Sequence, residues 1–144
     1  MDEFDNTMRS IAGSAILLGQ EVGSVMNKSK DEQVRKIIFF TDWSILTRPY
    51  KDYLIYNSAK ASVESATKSL AVELAPKVTV NAIAPGPILK PADLTDEENQ
   101  EAMARTPLRK WGGAEEIAKA VLYLLDADFV TGIILPVDGG RSIA

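Results

Sequence analysis

Two short β-favouring runs, KIIFF (Lys36–Phe40) and KVTVNAI (Lys77–Ile83), flank a helical pattern running from about Tyr53 to Leu74. KIIFF is continuously apolar, as expected of a strand buried on both faces of a parallel sheet. A strand, a helix and a strand in that order call for a right-handed crossover and parallel pairing. The rest of the chain repeats the alternation. Met8, Ile11, Ala15, Leu18, Val22 and Val25 recur at helical spacing between Phe4 and Met26, and GIILPVDGG supplies a third strand followed by a glycine turn. Thr95 and Glu98 in TDEE form a capping box ahead of a short helix to about Arg105. GGAEEIAKAVLYLLDAD then reads as a helix with an apolar face on Ile117, Val121, Leu124 and Leu125. The expected fold class is α/β: part of a doubly wound parallel sheet, about three strands with flanking helices, in a single domain over 1–144. Ligands in such sheets sit beyond the carboxyl ends of the strands, where TDWS and APGPI fall.

Composition removes several classes of function. The chain has no cysteine and no histidine, so thiol nucleophiles, serine-histidine triads and histidine-ligated metals are excluded. Proton transfer has to use carboxylates, lysine, tyrosine or water. Sixteen basic against twenty acidic residues, a net charge of -4, include no basic block of the kind that binds nucleic acid. No stretch reaches membrane-spanning length and the acidic start has no signal-peptide character, so the default expectation is the cytoplasm.

The chemistry-bearing stretch is YNSAK, in which Tyr56 precedes Lys60 by one helical turn, so the two side chains share a face. Alone, the pair reads equally as a half-buried aromatic beside a solvated lysine. Three motifs in order, YNSAK on a helix, NAIAPGPI after a strand and the terminal TGIILPVDGG, resemble the carboxyl-terminal half of a short-chain dehydrogenase/reductase. FFTDWS, RPYKDYLIY and LAPKVTVNAIAPGPIL are similar in wording to its pteridine-reductase-like branch, where an aspartate can replace the usual catalytic serine.

The resemblance implies a Rossmann-like fold and hydride transfer between NADP or NAD and a small carbonyl, alcohol or pterin-like substrate. Tyr56 would be the general acid in reduction, its pKa lowered by the Lys60 ammonium, and Lys60 would also hold the nicotinamide ribose. Pro85, Gly86, Pro87 and Ile88 would lie along the nicotinamide, glycine permitting close approach. Asp42 would orient the substrate, with Ser44 as the competing candidate; Asp42 reads equally as a loop cap. Tyr50 and Tyr53 read as packing or lid residues.

Two features depart from the family pattern. The segment Asp42 to Tyr56 is one residue longer than usual, and Ile11 falls where the family places an asparagine of its proton relay. No glycine-rich phosphate-binding turn precedes the first strand, so the chain resembles the second half of an enzyme. A catalytically silent oligomerisation module is the alternative. Surplus apolar surface on the two long helices, together with the family's habit, implies a homodimer or homotetramer.

Overall fold

The computed structural model describes all 144 residues. Three strands, β1 (Arg35–Phe40), β2 (Val78–Pro85) and β3 (Ile134–Val137), form one parallel sheet in the order β1-β2-β3. Ile37 pairs with Val80 and Phe40 with Ile83, while Ile83 pairs in turn with Leu135. The helices are α1 (Asp2–Thr7), running through a π-helical turn (Met8–Gly13) into α2 (Ser14–Asn27), then α3 (Trp43–Thr47), α4 (Leu54–Glu73), α5 (Asp96–Ala104) and α6 (Ala114–Asp126). A short 3₁₀ turn, Arg141–Ile143, ends the chain. No helix is long and apolar enough to cross a membrane.

Successive side chains of a strand point to opposite faces, and the core divides accordingly. Leu70, Ala71 and Leu74 of α4 pack on Val78 and Val80, with Met26, Ile37 and Phe39 against them. Ile83, Ala120 and Leu124 form the cluster on the other face, joined by Ile38, Ile117, Val121, Leu135 and Val137. Ile37 and Ile38, neighbours in sequence, thus serve opposite layers. Between the strands, the buried Asn81 side chain donates to Val130 O at 2.8 Å and accepts from Ile133 N–H at 3.2 Å, fixing the approach to β3.

The apolar faces differ from the sequence reading in two helices. On the first, Leu18, Val22 and Val25 are exposed, and the inward face is Ala12, Ala15, Gly19 and Gly23. A Cβ on Gly19 would stand 2.5 Å from a Leu70 methyl, so the two long helices meet too closely for large side chains. On α6, Leu125 faces outward at 48% exposure, while Ala120 and Leu124 carry the buried face. TDWS runs directly into α3, five residues long from Trp43, whose amino terminus Asp42 caps. The capping box is present as read: Thr95 Oγ1 accepts from Glu98 N–H at 3.2 Å and Glu98 returns a carboxylate oxygen to Thr95 N–H at 3.0 Å.

Candidate active site at the carboxyl edge of the sheet

All three strands end on one edge, and the segments that follow them meet there. Asp42 follows β1, Pro85 ends β2 and Gly86 to Ile88 follow it, and Asp138 to Gly140 follow β3. Tyr56 and Lys60 reach the same edge from the first turns of α4. The Tyr56 hydroxyl donates to Asp42 Oδ2 at 2.7 Å, and Asp42 Oδ1 accepts from Ser44 N–H at 2.8 Å. Asp42 is therefore both a helix cap and a partner of the tyrosine, joining the two readings that the sequence left open. Ser44 is fully buried and its hydroxyl has no well-formed hydrogen bond.

The electrostatics of Tyr56 correct one expectation. Its pKa lies well above the ordinary phenol value, because burial disfavours the phenolate, the hydrogen bond to Asp42 favours the protonated form, and the Asp42 charge adds to both. Lys60 Nζ stands 5.8 Å from the Tyr56 ring centroid and donates to Phe40 O at 3.1 Å, and burial lowers the pKa of the ammonium. The carboxylate and the apolar surroundings outweigh the lysine.

The loop after β2 is braced by three backbone hydrogen bonds. Gly86 N–H donates to Val137 O at 3.0 Å, Gly112 N–H to Pro87 O at 3.0 Å, and Gly113 N–H to Ile88 O at 2.9 Å. Gly86 is required here by its own chain: a Cβ would sit 2.5 Å from Asp138 Cα. Close approach at this glycine is therefore to the turn after β3, where the sequence reading assigned it to a ligand. Ile88 keeps its N–H free of any partner within the chain.

On one side of this loop opens a cavity of about 560 Å³, lined by Phe40, Trp43, Tyr50, Trp111 and Arg141 together with residues 85–89. Its aromatic wall is continuous with the tyrosine. Trp43 Nε1 donates to Tyr50 Oη at 3.0 Å, their rings stand edge to face at 6.0 Å, and the Tyr50 ring lies 6.4 Å from that of Tyr56. Sequence reasoning named Tyr50 only as packing or lid, and missed Trp43, Trp111 and Arg141. Lone aromatics in a loop or at the start of a five-residue helix carry no periodicity, and nothing local marks Arg141 beyond its place after a glycine turn.

Residues 1–142 match the family model described as Enoyl-(Acyl carrier protein) reductase. The chain belongs to the short-chain dehydrogenase/reductase family. Within it, the chain is similar to members of the pteridine-reductase-like branch. A dihydromonapterin reductase of Escherichia coli O6:K15:H31 is 39% identical over 107 residues, 74% of this chain and 44% of that protein. The solved FolM alternative dihydrofolate reductase 1 from Brucella suis, in complex with NADP, superposes with a TM-score of 0.82 at 26% identity, covering 100% of this chain and 57% of that one. Acetoin dehydrogenase from Enterobacter cloacae gives a TM-score of 0.84 at 31% identity over 99% of this chain and 57% of its own. The chain thus spans less than half the length of the curated relative and somewhat over half of each solved dehydrogenase/reductase.

Proposed function

We propose that this chain is the catalytic half of an NAD(P)-dependent oxidoreductase acting on a small carbonyl, alcohol or pterin-like substrate. The observation that carries the reading is the Tyr56 hydroxyl, held at 2.7 Å by Asp42 on the strand edge beside Lys60 and the aromatic cavity. The named relatives, two of them pterin or folate reductases and one in complex with NADP, support it.

The residues present fit the nicotinamide end of such a cofactor. Pro85, Pro87 and Ile88 make an apolar wall, the Ile88 N–H is free to donate, and Lys60 gives one of its three N–H groups to Phe40 O and keeps two. The glycine-rich turn that would take the pyrophosphate follows no strand of this chain. The nicotinamide, when bound, supplies or takes the hydride.

The chain supplies the proton. Near neutral pH Tyr56 is a phenol, so it is competent as an acid in the reductive direction. Its proton points at Asp42, and the substrate atom has to win it from a carboxylate. An imine nitrogen, more basic than a carbonyl oxygen, does this more readily, which favours a pterin-like substrate over a simple ketone. The Lys60 ammonium, 5.8 Å from the ring centroid, is the cation that would favour the phenolate left behind.

Titration with NADPH and NADH, followed by nicotinamide fluorescence, and turnover of a dihydropterin test the assignment. Saturable binding is expected, with Tyr56→Phe losing about 10²–10⁴-fold in turnover at unchanged cofactor affinity. Equal turnover by Tyr56→Phe overturns the role of the tyrosine, and absence of cofactor binding favours the silent oligomerisation module. For the assembly, we propose a second copy seated on the outer face of α2 and α4, where Ile16, Ser62, Ser65 and Ser69 line a shallow groove beside the exposed Leu17.

A further inference from the structure

The cavity beside Tyr56 is aromatic and aliphatic except for one charged side chain. Arg141 enters it from the 3₁₀ turn after β3, its guanidinium carbon 5.4 Å from the Trp43 ring centroid. One nitrogen, Nη1, is spent on the carbonyl of Ala102 in α5 at 2.9 Å, with Thr106 Oγ1 at 3.5 Å. A guanidinium carries five N–H donors, so Nη2 and Nε remain uncommitted.

No carboxylate neutralises this cation. The four ion pairs of the chain join Arg35 to Asp31, Lys36 to Asp128, Arg105 to Glu101 and Lys119 to Glu116. Asp138, the acidic residue closest in sequence, spends its oxygens on Gly140 N–H at 2.9 Å and Ser142 N–H at 2.7 Å. Burial, with the charges of Arg105 and Arg48, lowers its pKa against an opposing contribution from Tyr50; an arginine remains protonated all the same. The Tyr50 ring lies 6.4 Å from that of Tyr56 and 6.0 Å from that of Trp43, on which Arg141 stacks.

We infer that Arg141 is the specificity residue of this site, binding a carboxylate carried by the substrate. This rests on the cavity being the substrate site. A half-buried guanidinium without a partner, held by stacking and by one backbone carbonyl, presents a planar donor edge that a carboxylate matches with two parallel hydrogen bonds. The Asp42 charge, bonded to the Tyr56 hydroxyl, disfavours a carboxylate at the tyrosine. The ligand is thus a flat heterocycle, packed along Trp43 and Tyr50, with an acidic substituent.

The test uses two fluorescent probes, 6-carboxypterin and 6-hydroxymethylpterin, titrated into the 144-residue chain and its Arg141 variants. The carboxylate probe should bind about 10- to 100-fold tighter than the neutral one, in the range of a charge-assisted hydrogen-bonded pair. Arg141→Gln, which can still donate to Ala102 O, should abolish that preference and change the neutral probe's affinity less than twofold. Arg141→Lys should keep part of it. Equal affinity of the wild-type chain for both probes, a preference that survives Arg141→Gln, or no binding of 6-carboxypterin overturns the inference. Unfolding midpoints of the variants separate loss of charge from loss of fold. Because no turnover is involved, carboxylate preference without cofactor binding would sink the oxidoreductase reading and leave this one standing; turnover without preference does the reverse.

Discussion

Gly86→Ala tests whether the loop that walls the site is held by contact with the turn after β3. The new methyl carbon would lie 2.5 Å from both Asp138 Cα and Asp138 Cβ and 3.1 Å from Asp138 O. Ordinary contact begins near 3.4 Å, so the two segments have to separate by about 0.9 Å. The obstacle is largely backbone, which no rotamer change relieves, and the separation strains the 3.0 Å bond from Gly86 N–H to Val137 O. Overpacking of this kind costs about 1–3 kcal/mol. With a urea dependence of about 1–3 kcal/mol per molar, the unfolding midpoint should fall by roughly 1 M. Gly86 does not adopt a positive φ, so conformational strain is not the cause. Gly13→Ala is the control: its Cβ meets only Met8 O, at 3.5 Å, and alanine in a helix should stabilise by about 0.5–1 kcal/mol. A Gly86→Ala chain that unfolds at the wild-type midpoint, or moves in the same direction as Gly13→Ala, refutes the reasoning. NADPH affinity should fall in Gly86→Ala alone, since only there does the wall move.

Asp42→Asn removes the charge that holds the Tyr56 proton, so an alkaline absorbance titration should find this phenol ionising at lower pH than in the wild type; an unchanged curve counts against the pairing. Because the folded Tyr56 has a pKa above its unfolded value of 10.0, the stability it contributes is complete below pH 10 and drains as pH rises beyond it. Tyr56→Phe should therefore flatten the alkaline loss of stability, as read from midpoints between pH 9 and 11. Thr95→Ala should cost α5 about 1 kcal/mol of local stability through loss of the capping box, visible as faster amide exchange in that helix and nowhere else. Leu17→Arg should give a species of monomer mass by light scattering where the wild type gives a multiple; equal masses overturn the assembly proposal.

The order of elements, the parallel pairing and the edge where the motifs meet were legible because each depends on periodicity or on local chemistry. KIIFF is apolar on both faces because both faces are covered, and the capping box is a contact between neighbours in sequence. What stayed hidden depends on distance through space. Leu18, Val22 and Val25 have the spacing of a buried stripe, yet close contact with α4 at Gly19 and Gly23 turns the small residues inward. The YNSAK motif places Tyr56 beside Lys60, but only the course of the chain after β1 places Asp42 closer still and reverses the expected direction of the tyrosine's pKa. Arg141 lies 85 positions from Tyr56, and no local pattern could join them.

The short helix α5 buries none of its residues, and its side of the cavity is fastened by two side-chain bonds, Trp111 Nε1 to Asn99 Oδ1 at 2.9 Å and Arg141 Nη1 to Ala102 O. At a net 0.5–1.5 kcal/mol each, the fastening amounts to about 1–3 kcal/mol, far below the 5–15 kcal/mol that holds a whole domain together. The expected behaviour is local opening of the helix while the sheet stays intact, with the open form at roughly one part in five to one in a hundred and sixty. Access to the cavity is then set by a local equilibrium that substitutions at Asn99 or Trp111 can tune without touching the parallel sheet or the tyrosine.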